Sequence, residues 1–228
     1  MQGLYASFGY RHTETPQRET TIYLLWCDST FSQAHHSGHY LPTEIIPTMA
    51  DRVQQVVDLP PCNRHIATHD ANGKSVYAQS PPQQYIPVEN FGGMARSYSV
   101  ASVPAKMAND EDLKAYKSND AVTSWAQPSI VTPNGANLLV VDLAPGGVSS
   151  MHQTVSIDYS ICVIGEIEHE LDSGEVVLLK PGDHIVQRGT NHRWRNASKT
   201  KPARFVAVTV ACEPFEIAGK MLEEVHVS

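Results

Sequence analysis

From residue 134 to residue 211 apolar and polar residues alternate in short runs cut by glycine and proline. Residues 137–143 and 158–164 read as strands, and 166–171 alternates with period two. Residues 175–179, 184–187, 193–196 and 204–211 complete the set. Asn134-Gly135, Asp172-Ser173-Gly174 and Lys180-Pro181-Gly182-Asp183 supply the turns between them. Many short strands at even spacing predict an all-β antiparallel sandwich or barrel. A helix is expected over residues 216–224, packed outside it.

Upstream the pattern weakens. Residues 49–57 predict a short helix capped by Thr48, with Val53, Val56 and Val57 on one face, stopped by Leu59-Pro60-Pro61. Residues 60–133 carry short strands, an Asn72-Gly73 turn and a helix opening at Asn109-Asp110-Glu111-Asp112 and ending near Lys117, since acidic groups favour a helix N-terminus. Residues 1–48 are mostly polar, with one short apolar run over 22–27, and predict a loosely packed arm. Its cluster His35-His36-Ser37-Gly38-His39 reads as solvated. The organisation expected is therefore an N-terminal extension over 1–58, strands and a short helix packing on the barrel over 59–133, the barrel over 134–212, and a C-terminal helix over 213–228.

The chain has 228 residues, 41% hydrophobic and 18% charged, enough for one domain with a substantial core. Its net charge of −7 and lack of a basic cluster argue against nucleic acid and anionic membrane surfaces as partners. No apolar run approaches the roughly 20 residues that span a bilayer. The first residues lack a basic start followed by an apolar stretch, so no secretory signal is expected. Cys27, Cys62, Cys162 and Cys212 form no C-x-x-C pair and read as reduced thiols. A soluble, cytoplasmic protein is the expectation.

The chemistry concentrates in two segments. His152, Thr154, Ser156 and Asp158 share one parity, so an extended chain points them to one face. Burying an imidazole and a carboxylate together without a partner is costly, and a divalent metal would satisfy both. His192, Trp194 and Asn196 share parity in the second segment, and His192 becomes a third ligand if its strand lies beside that of His152.

These segments resemble the paired motifs of the cupin family. Gly146, His152, Asp158 and Gly165 fall in register with the family pattern G-x5-H-x-H-x3/4-E-x6-G, with Thr154 in place of the second histidine and aspartate in place of glutamate. Gly189, His192 and Asn196 match the end of the second pattern, with Gln187 at its proline position and Gly182 one residue short. Residues Met151 to Tyr159 and Gly182 to Asn196 resemble more narrowly the small single-domain cupins of fungal secondary metabolism, some associated with polyketide and salicylaldehyde-type pathways and described as oxidoreductases. Gln153 stands where such proteins often carry arginine. Residues 1 to about 58 lie outside the resemblance.

The resemblance implies a double-stranded β-helix (jelly-roll) barrel and one divalent metal ion held by His152, Asp158 and His192. Two imidazoles and a carboxylate are the set of non-haem Fe(II) oxygenases, and Mn(II), Zn(II) or Ni(II) suit the same donors. These three residues are also the expected catalytic ones. Thr154, Gln187, Trp194 and Asn196 are expected at the pocket or supporting it, Thr154 by binding a metal-bound water. His65 and His69 are expected to be solvated or to support the site from behind, His169 and His184 to lie at the surface, and Glu166, Glu168 and Glu170 on a solvated strand face. The function implied is oxidative tailoring of a small polyketide-derived metabolite. Redox-neutral decarboxylation, dehydration or isomerisation is the alternative, and a non-catalytic small-molecule-binding barrel a further one. No G-x-G-x-x-G fingerprint suggests a nicotinamide site. A small organic substrate and a homodimer are the expected partners.

Overall fold

The computed structural model describes residues 54–127 and 129–227. The predicted N-terminal arm, its histidine cluster, Cys27 and the first part of the 49–57 helix lie outside them. Residues 54–57 are irregular, not helical.

The strands, in chain order, are β1 (Ile66–His69), β2 (Ser75–Ala78), β3 (Ile86–Val88), β4 (Gly92–Val100), β5 (Ala136–Leu143), β6 (Met151–Gln153), β7 (Ser156–Ile164), β8 (Ile167–Leu171), β9 (Val176–Leu179), β10 (His184–Arg188), β11 (His192–Asn196), β12 (Ala203–Ala211), β13 (Glu216–Ile217), β14 (Lys220–Met221) and β15 (Val225–Val227). A helix, α1 (Glu111–Lys117), follows a 3-10 turn at Ala108–Asp110. Its acidic first turn and basic last turn match the helix dipole, and it buries Leu113 and Tyr116.

Two antiparallel sheets carry the molecule. One has the order β10-β7-β12-β5-β4-β3 and the other β15-β6-β11-β8-β9. Successive strands from β5 onward mostly change sheet, which is what closes an antiparallel double sheet around an interior. Phe91, Leu139, Val141, Leu143, Ile167, Leu179, Trp194 and Phe205 fill that interior with the residues of alternate parity on each strand. A smaller cluster of Tyr85, Ala95 and Val140 packs on the outer face of the six-stranded sheet.

β7 inverts the usual distribution. Its buried positions are Ser156, Asp158, Ser160 and Cys162, while Tyr159, Ile161 and Val163 are exposed. A strand that turns hydroxyls and a carboxyl inward gives up transfer free energy.

Two expected boundaries change. β4 lies beside β5 within the six-stranded sheet, so the barrel recruits strands from the 59–133 segment. The helix expected over 216–224 is absent. Ala218 and Gly219 both take positive φ (49° and 81°) and close a hairpin between β13 and β14, and β15 then pairs with β6. A single apolar face at helical spacing was available there, but the Ala218-Gly219 turn and the unpaired edge of β6 favour extended chain. Among the described residues no helix is long and apolar enough to cross a membrane.

Candidate active site

A cavity of about 360 Å³ lies between the two sheets. Phe91, Met94, Ile130, Leu139, Val141 and Phe205 give it apolar walls, and His152, Thr154, Asp158, Ser160, Gln187, His192 and Trp194 border it as well. That combination, mostly apolar with a few converging polar groups, is the usual form of a small-molecule site.

β6 and β11 place the two expected histidines together. His152 and His192 are directly opposed across the antiparallel pair, with ring centroids 4.3 Å apart. His152 Nδ1 lies 3.0 Å from the Ser150 carbonyl oxygen and His192 Nδ1 2.9 Å from that of Thr190. Each Nδ1–H therefore donates to its own backbone, which leaves the lone pair on Nε2. Burial, then the neighbouring His152 and His169, hold His192 down to about 3, so it is neutral at physiological pH.

Asp158 lies on β7, in the other sheet. Its register neighbours are Gln187 on β10 and Thr209 on β12. Ser156 Oγ donates to Asp158 Oδ1 at 2.6 Å and lies 2.9 Å from Thr154 Oγ1. Burial pushes the carboxyl up to about 6, against the hydrogen bonds from Ser156 and Thr154 that favour its charged form.

The expected three-ligand metal set is not assembled. Among the described residues no group of three or more histidine, cysteine, aspartate or glutamate side chains is placed to hold a metal ion. Shared parity was read as a shared face on one strand, but Thr154 and Val155 are a break at which the chain passes from one sheet to the other. His152 and Asp158 therefore border one cavity from different sheets, and the carboxyl is engaged by Ser156. The anchored Nδ1 atoms match the tautomer of metal-bound histidine, but the residues present supply an imidazole pair and not the triad.

His169, expected at the surface, is buried at 4% exposure. Its ring lies 4.6 Å from that of Trp194 and 5.2 Å from that of His192, and its Nε2 is 2.9 Å from Gln187 Oε1. The signal was present: Ile167, His169 and Leu171 share one parity between the outward Glu168 and Glu170, which meet Arg195 and Arg193. Trp194 is both pocket wall and packing, stacked on Phe205 at 4.5 Å. Asn196 does not border the cavity. Its Nδ2 donates to the Ala144 and Lys201 carbonyls (2.9 and 2.8 Å), and its Oδ1 accepts from the Ser198 N–H, so it ties two turns together. His65, His69 and His184 are exposed, as expected.

The cupin-domain family pattern matches residues 139–209. Over 163 residues the chain is 45% identical to phomopsin biosynthesis cluster protein D of Diaporthe leptostromiformis, covering 70% of this chain and 84% of that one. It is 37% identical to oryzines biosynthesis cluster protein J of Aspergillus oryzae, covering 73% and 92%. It is 35% identical to a cupin-domain-containing oxidoreductase of Neurospora crassa, covering 70% and 79%. With this double sheet, these motif positions and these relatives, the chain belongs to the cupin family, among the cupin-domain proteins of fungal biosynthesis clusters.

Proposed function

We propose that this cupin is an enzyme that takes one small, largely apolar biosynthetic intermediate into the barrel and oxidises it there. The observation that carries the reading is the placing of neutral imidazole on one sheet and a carboxyl on the other, both bordering one apolar cavity. The His152–His192 pair lines the cavity with imidazole, kept neutral at His192 by burial, whose polar ring edge orients a substrate hydroxyl. Asp158, raised to about 6 by burial, is the group matched to take the hydroxyl proton and pass it to the reduced acceptor. The apolar walls suit a largely apolar substrate. The oxidoreductase class is supported by relatives named as cupin-domain-containing oxidoreductases. For an alcohol substrate the C–H and O–H bonds break, and two electrons and two protons pass to dioxygen supplied from solution, which leaves as hydrogen peroxide.

Proton transfer alone also fits this pair of groups, so a redox-neutral dehydration or isomerisation is the second reading. Salicyl alcohol with the purified full chain separates them. Oxygen uptake equal to aldehyde formed, lost on replacing His192 by alanine, is the expected result. Turnover that persists unchanged under nitrogen favours the redox-neutral reading. Binding of salicyl alcohol with full recovery of unaltered ligand overturns the enzyme reading. Metal content measured on the same samples, before and after His192→Ala, tests whether the imidazole pair takes up iron, manganese, zinc or nickel.

A further inference from the structure

We infer that His169 is a positioning residue that turns the amide N–H groups of Gln187 into the cavity, so that the pocket selects ligands carrying a carbonyl oxygen. The inference rests on the cavity being the binding site and adds the ligand class it favours, the carbonyl-bearing form that an alcohol oxidation yields. Gln187 is 4% exposed, points inward from β10 and borders the cavity. Its Oε1 lies 2.9 Å from His169 Nε2. An amide oxygen only accepts, so His169 carries its proton on Nε2 and donates it. The amide nitrogen of Gln187 has no hydrogen-bond partner among the described residues, and it is not sealed into packed protein.

The orientation is held from several sides. His169 stacks on His192 and meets the Trp194 ring edge to face. The His169–Gln187 bond runs from β8 in one sheet to β10 in the other, so rotating the amide breaks a cross-barrel contact. An amide N–H that borders the cavity is costly to leave unmatched. A carbonyl oxygen matches it, with the apolar remainder of the ligand against Phe91, Met94 and Phe205.

Two measurements test this on the full chain. Nitrogen-15 NMR of the histidine side chains is expected to show His169 protonated on Nε2. A proton on Nδ1 instead overturns the orientation, whatever binds. Binding is read with salicylaldehyde and with o-cresol, which differ in an aldehyde against a methyl group. Gln187→Leu is expected to weaken salicylaldehyde about ten-fold and leave o-cresol unchanged. His169→Phe keeps the ring and removes the donor. It is expected to weaken salicylaldehyde in the wild-type background and to add nothing to Gln187→Leu. Equal loss of both probes in Gln187→Leu, or an undiminished effect of His169→Phe in the double variant, overturns the inference. Gln187→Glu asks the same question should the leucine variant not fold, since it keeps the acceptor toward His169 and replaces the inward donor with an acceptor. If neither probe binds the wild-type chain, the cavity reading itself is overturned, while the tautomer still decides the orientation.

Discussion

Asp142 and Asp158 lie in the same six-stranded sheet, both almost wholly removed from solvent, and on opposite faces of it. On the outer face Arg204 meets Asp142 with two bonds, Nε to Oδ1 at 2.6 Å and Nη2 to Oδ2 at 2.7 Å. The same guanidinium donates to the Pro60 carbonyl oxygen at 2.9 Å. Its own pKa is raised, chiefly by the bond to Asp142. On the inner face Asp158 has hydroxyls for company and an open cavity before it. Burial is nearly equal, so burial alone does not make a carboxylate chemically active. What differs is the counter-charge: Asp142 has one in fixed bidentate geometry, and Asp158 has dipoles that leave its ionisation costly.

The comparison is most easily broken at Asp142. Asp142→Ala leaves Arg204 buried without its carboxylate and is expected to cost about 3–5 kcal/mol in urea unfolding. A loss below 1 kcal/mol would mean that the guanidinium finds water or another acceptor, and the outer pair would no longer contrast with the inner carboxyl.

Asp158→Asn is expected to act in the opposite direction on stability. Burial raises the carboxyl of the folded chain to about 6, against an ordinary value of 3.8. Between those values the folded state binds more protons than the unfolded one, so stability falls as pH rises through that window. Asparagine keeps an acceptor for Ser156 and removes the ionisation. The variant is expected to gain on the order of 2–3 kcal/mol over wild type at pH 8 and nothing at pH 4, because the shift of about two units converts at roughly 1.4 kcal/mol each. The same substitution is expected to cut turnover on the order of 10²-fold. Equal unfolding midpoints at both pH values would show that the inner carboxyl is solvated after all.

Glu170 extends the series to the surface. Arg193 donates to it at 2.6 and 2.8 Å, and that bond lowers its pKa, yet the pair is only partly covered, with Glu170 half-buried and Arg193 partly exposed. Glu170→Gln is expected to leave the unfolding midpoint unchanged in moderate salt, since exposed pairs are screened and cost side-chain entropy. A clear loss of stability there would place the β8–β11 ladder, and not the buried charges, at the centre of the fold's electrostatics.

Most barrel strands were legible because period-two alternation and the Gly and Pro turns are local properties. The strands β5 and β7 to β12 fall within one or two residues of the expected ranges. The helix at Glu111–Lys117 was legible from its acidic first turn for the same reason. The C-terminal segment was not, because its apolar spacing suits a helix until the edge of β6 offers backbone partners. At the site, the pairing of His152 with His192 followed from parity once their strands were taken as neighbours. His169 was passed over because two flanking glutamates made its strand look solvated, although parity placed it with Ile167 and Leu171.

The sequence by itself determined which residues face the interior, since side chains alternate across a strand and the alternation is written residue by residue. It also determined the family, through two histidines, an acid and the turn glycines at fixed spacing. Only the tertiary structure decided how the inward groups meet. Parity assigns a face but no distance, and the passage of the chain from β6 to β7 puts His152 and Asp158 in different sheets. The same packing brought His169 under His192 and against Gln187, a meeting of three strands that no local pattern encodes.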